Sequence, residues 1–148
     1  MDKFDIHNRQ RRLELAIKSV KSMPTSQKNK EAILSFCNYC SAEGLSVDRI
    51  EHYARMLKKI SELFCKDFVD AEKQDIVELL LRIDSRKLSS WTKHDYRVAL
   101  KKFYRWLRNT MEYPEEVVWI KTGFPHLFSP NFPQFLPMSS PVFPTICS

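Results

Sequence analysis

The sequence predicts an all-α fold on three observations. Glycine is scarce, with 2 residues in 148, and all-β folds need it for many tight turns. Leu, Lys, Glu and Arg, which favour helices, are abundant. Apolar residues recur three and four positions apart between residues that cap or stop helices. With 43% hydrophobic and 28% charged residues, the 148-residue chain has the size and balance of one globular domain.

Residues 3–22 read as a basic amphipathic helix, with Leu13, Ile17 and Val20 spaced four and three apart and Pro24 ending it. Ser26 can cap a second helix running to about Glu43, with Ile33, Phe36, Tyr39 and Cys40 on one side and Gly44 as its carboxyl-side cap. Ser46 caps a third through about Phe64, turning Ile50, Tyr53, Leu57 and Ile60 inward, and either Leu63 or Phe64 can continue the stripe. Lys66 to Asp70 form a short connection, and Asp70 can cap a fourth helix from about Ala71 to Arg86 that buries Ile76, Leu79, Leu80 and Ile83. Ser89 or Ser90 caps a fifth, from about Trp91 to Asn109. Pro114 starts a short sixth element ending at Lys121, at a position where proline is tolerated. Residues 26–109 therefore predict four helices with short connections, which form a compact bundle.

Residues 123–148 are a different kind of sequence. They hold 6 of the 8 prolines, 5 of the 10 phenylalanines and no Lys, Arg, Asp or Glu. Proline at this density forbids helices and central strands, so an irregular tail is expected. It reads either as a partner-binding tail or as a translated frameshift or gene-junction remnant; the abrupt change after Thr122 favours the remnant. The expected organisation is a basic helix over 1–25, a bundle over 26–122 and an irregular tail over 123–148.

The charged amino terminus lacks the apolar run of a secretion signal, and no stretch of roughly 18 apolar residues would span a membrane. A cytoplasmic location with reduced thiols is therefore expected for Cys37, Cys40, Cys65 and Cys147. Cys37 and Cys40 form a C-x-x-C pair. Zinc would need a second ligand pair and redox work a strand–helix context, and neither is present, so both read as core-facing helical thiols. No phosphate loop, metal cluster or nucleophile–base constellation is visible, so no enzyme activity, cofactor or small-molecule substrate is expected.

The net charge is +6. Residues 91–108 carry six basic groups against one acidic group, Asp95. Lys93, Arg97, Lys101, Arg105 and Arg108 follow one another at four, four, four and three. At about 100° per residue they share a face roughly 120° wide, with His94 on it and Tyr96, Leu100, Phe103 and Leu107 beside it. Such a ridge suits a polyanion, because Lys and Arg neutralise phosphates and reach base edges. A solvated charged face is the alternative, but such faces usually mix signs.

The segment 26–122 resembles the amino-terminal core-binding domain of tyrosine recombinases, in particular archaeal phage-type integrases. The resemblance rests on Glu43-Gly44-Leu45-Ser46 with Arg49-Ile50 and Tyr53, on Lys66-Asp67-Phe68, on Asp75-Ile76, and above all on Trp91-Thr92-Lys93-His94-Asp95-Tyr96 running into Leu100-Lys101-Lys102-Phe103-Tyr104-Arg105-Trp106-Leu107. Tyr113-Pro114 and Trp119-Ile120-Lys121 add to it. It implies a four-helix, SAM-like bundle that closes on one side of double-stranded DNA while a separate carboxyl-terminal domain cleaves from the other. It further implies that the second and fourth bundle helices lie against DNA, which makes Arg49, Arg55, Lys58 and Lys59 secondary contacts beside the ridge.

The catalytic half that the family carries should begin near Lys121, where this sequence continues into the tail instead. Two H-x-x-R matches to the family's active site, His52 with Arg55 and His94 with Arg97, fall ahead of it and read as helical surface pairs. Tyr104 and Tyr113 read as core or surface residues, not nucleophiles. The expected function is DNA binding by an integrase core-binding domain. The alternatives are a protein-interaction or inhibitory module docking other recombinase subunits, and a nonfunctional gene remnant.

Overall fold

The computed structural model describes residues 2–122, with side chains from residue 8 onward. The expected tail over 123–148, including Cys147, lies outside the described residues. All regular structure among them is helical: α1 Asp2–Ser22, α2 Gln27–Glu43, α3 Val47–Leu63, α4 Lys73–Asp84 and α5 Ser90–Leu107, with a 3-10 turn at Phe68–Asp70 between α3 and α4. None of these helices is long and apolar enough to cross a membrane.

Local chemistry sets most of the helix ends. Ser26, Ser46 and Ser89 each stand in extended backbone and accept from the amide three residues on, at Asn29, Arg49 and Thr92. Gly44 closes α2 at φ 94, a left-handed conformation that side chains resist. The start of α4 differs from expectation. Its cap is Glu72, not Asp70, whose amide closes the 3-10 turn on Asp67 O. Asp75 Oδ2 accepts from the Glu72 amide at 2.8 Å, and the bond, together with Lys66, holds the Asp75 carboxyl below its ordinary range. The expected sixth element is a run of turns, with the Val117 and Val118 amides donating to Pro114 O at 3.0 and 2.9 Å.

α1 packs on the bundle through buried Ala16, Val20 and Met23. It runs parallel to α3, with Arg12 on Asp48 near one end and Thr25 on Ser61 near the other, both pairs 36 residues apart. The helices enclose one core. Its aromatic part joins Phe36 of α2, Phe68 of the 3-10 turn and Phe103 of α5, with centroids 5.4 Å apart for Phe36–Phe103 and 4.8 Å for Phe68–Phe103. Tyr39 departs from the buried stripe expected of α2. It is 42% exposed, donates to Glu43 and packs on Trp106.

Two buried polar side chains fix the α3–α4 connection. Asn29, 2% exposed, accepts from the Phe68 amide at 2.8 Å and donates to Lys66 O at 3.1 Å. Tyr104 donates to Phe68 O at 2.8 Å, and burial pushes its phenol up. Asn29→Ala strands two backbone groups at once, so urea unfolding is expected to show a loss of about 2–4 kcal/mol.

Candidate nucleic-acid interface

After α5, Asn109 turns the chain at φ 56, and residues 110–122 return along the helix as a strap. Val117 and Ile120 bury against the core and anchor it. The strap lies on the cationic ridge, which is not free, contrary to expectation. Lys101 is buried, donates to Ile120 O at 2.8 Å and stands 4.4 Å from the Tyr113 ring. Arg105 covers the same ring at 4.8 Å. Arg108 pairs with Glu116 at 2.8 Å and donates to Val69 O and Ala71 O. Arg97 pairs with Asp84 at 2.9 Å, and Lys93 donates to Asp84 O at 3.0 Å. His94 is buried too, its Nε2 donating to Thr122 O at 2.7 Å.

The signal for this was present in α5 itself. Tyr104 falls about 20° from Lys93 on the helical wheel, inside the ridge's own arc. A large aromatic there means that both flanks of the helix bury something. Val117 and Ile120, three apart, supply what covers the second flank.

The residues assigned secondary importance are more available. Arg49, Arg55 and Lys59 of α3 are exposed and Lys58 is half-buried. Arg55 pairs with Glu51 at 2.6 Å, and Lys58 and Lys59 share Glu62 at 2.9 and 3.5 Å. Sequence patterning alone misses Arg82, Arg86 and Lys87. Arg82 donates to Leu63 O at 2.7 Å, which brings the end of α4 to the end of α3. Arg86 and Lys87 are exposed in the α4–α5 connection and make no ion pair among the described residues. Burial pushes the Tyr96 phenol up while Arg86 and Arg55 pull it back, so both arginines flank one phenol at the α3–α5 seam. The first turn of α5 follows directly and contains no acidic residue. Its amide dipole adds positive potential there.

The thiols fit the core reading. Cys37 and Cys40 are buried, and burial pushes them up to about 12 and about 11, so neither is a thiolate at neutral pH. Among the described residues no group of three or more His, Cys, Asp or Glu could hold a metal ion.

Among the described residues the fold is a bundle of five helices, with exposed basic residues on α3 and in the α4–α5 connection interleaved on α3 with Asp48, Glu51 and Glu62. No known family model, curated protein or solved structure matches the chain.

Proposed function

We propose that residues 26–122 bind duplex DNA as a core-binding-type clamp, the SAM-like bundle the sequence resembles in tyrosine recombinases, with α1 as a further helix packed on it. The observation that supports this is the exposed cationic set on α3 and the α4–α5 connection. Arg49, Arg86 and Lys87 have no ion-pair partner among the described residues, and Lys58 and Lys59 share a single carboxylate. Contacts of this kind neutralise phosphates and read little sequence. The α5 ridge enters indirectly, by fixing the strap and the helix it lies on. Strand cleavage and joining are assigned to no residue of this chain.

Fluorescence anisotropy of labelled duplex DNA against the full chain, over a salt series, tests the reading. The slope of log affinity against log salt is expected to be about 0.9 per phosphate contacted. A folded protein that leaves DNA free at low salt would overturn it.

A further inference from the structure

We infer that α1, which precedes the clamp segment, extends the DNA-binding face through Arg9 and Arg12; the inference rests on the DNA-binding reading above. In α1 the buried stripe runs back from Met23 through Val20 and Ala16, spaced three and four apart. Arg12 and Arg9 continue it at four and three, so the face that carries the core contacts turns basic toward its amino end. There it meets the start of α3 instead of the core. Arg12 Nη2 lies 3.1 Å from Asp48 Oδ1, and Arg9 Nε lies 3.4 Å from Asp48 Oδ2. All three side chains are about half exposed.

Asp48 brings the two guanidiniums to the exposed side of α3. Asp48, Arg55 and Lys59 fall within about 40° of one another on the helical wheel. At about 1.5 Å per residue, Asp48 stands roughly 10 Å before Arg55 and roughly 16 Å before Lys59. Duplex DNA carries a charge every ~1.7 Å of its axis, so a line of this length crosses several phosphates. The charge balance favours such an anion. One guanidinium can satisfy both oxygens of a carboxylate, and Asp48 holds two. Glu62 is likewise shared by Lys58 and Lys59, Glu51 holds Arg55, and Arg49 makes no ion pair among the described residues. Six basic side chains thus stand against three carboxylates. Anchoring α1 does not require both arginines, because Ala16, Val20 and Met23 are buried against the bundle and Thr25 bonds Ser61 at 3.0 Å. Exposed pairs of this kind contribute little to stability, so either guanidinium can turn to a phosphate at small cost. The other then offsets the Asp48 carboxylate, which would repel the same phosphate.

Binding of a mixed-sequence duplex by the full chain, measured over a salt series, tests this. Arg9→Ala combined with Arg12→Ala is expected to weaken binding about tenfold at low salt and to lower the slope of log affinity against log salt by about 1.8. Asp48→Asn releases both arginines and removes a repulsive charge, so it is expected to tighten binding about threefold. A folded double variant with unchanged affinity and slope overturns the inference, while binding by the wild type leaves the DNA reading standing. If the double variant loses helix by circular dichroism, Asp48→Asn decides: unchanged or weaker binding means that the arginines only latch α1, and it overturns the inference. A wild-type chain that leaves DNA free at low salt removes the reading and the inference together.

Discussion

Replacing Arg55 and Arg86 together by glutamate is expected to weaken duplex-DNA binding about a hundredfold at low salt, or ~2.7 kcal/mol. The salt slope should fall by about 1.8, or 0.9 for each phosphate that is no longer neutralised. Both side chains are exposed, and both lie near the buried Tyr96 phenol. The double variant should keep its helical circular dichroism. The local cost is the loss of the Glu51–Arg55 pair, in which the Glu51 side chain is 14% exposed, and the like-charge pair that replaces it, on the order of 1 kcal/mol. Full affinity in a folded double variant would remove α3 and the α4–α5 connection from the interface.

Lys101→Glu is expected to act on the fold instead, lowering stability by roughly 3–5 kcal/mol in urea unfolding. Lys101 is buried, with its ammonium on Ile120 O and against the Tyr113 ring. A carboxylate there faces a carbonyl oxygen and the negative face of an aromatic ring, and Arg105, one turn on and against the same ring, offsets only part of that cost. Burial already lowers the pKa of Lys101, so desolvation offsets part of the charge–carbonyl attraction. Lys101→Met should therefore lose only about 1–2 kcal/mol. Equal and small losses from both variants would show that the strap does not seal this position. It follows that Arg97→Glu combined with Lys101→Glu, the change the ridge alone would suggest as a DNA-binding test, confounds affinity with folding.

The sequence by itself determined the helices and most of their ends. Ser26, Ser46, Ser89 and Gly44 do so through bonds and backbone angles made within a few residues, and such local chemistry survives in any fold. It determined the inward faces of α3 and α4, where Ile50, Leu57, Ile76 and Leu79 follow the helical period. Cys37 and Cys40 are buried, as expected of a C-x-x-C pair with neither a second ligand pair nor a strand–helix context. The cap of α4 falls at Glu72 instead of the expected Asp70, because Asp70 is taken up by the 3-10 turn that Asn29 holds from 39 residues away.

Only the tertiary structure decided what the charges do. The α5 ridge has few acidic residues at helical spacing, which within one helix argues for an outside anion. Its partners are instead Asp84, Glu116, backbone carbonyls and the Tyr113 ring, 4 to 39 residues away or brought back by the strap. Conversely, Arg86 and Lys87 have no periodic pattern to mark them, since they lie in a connection. They gain significance only because folding sets that connection beside α3. Periodicity reports which face of a helix is apolar. It carries no information about which acceptors a distant segment lays across the remaining faces, and that is what separates a cation facing solvent from one holding the chain together.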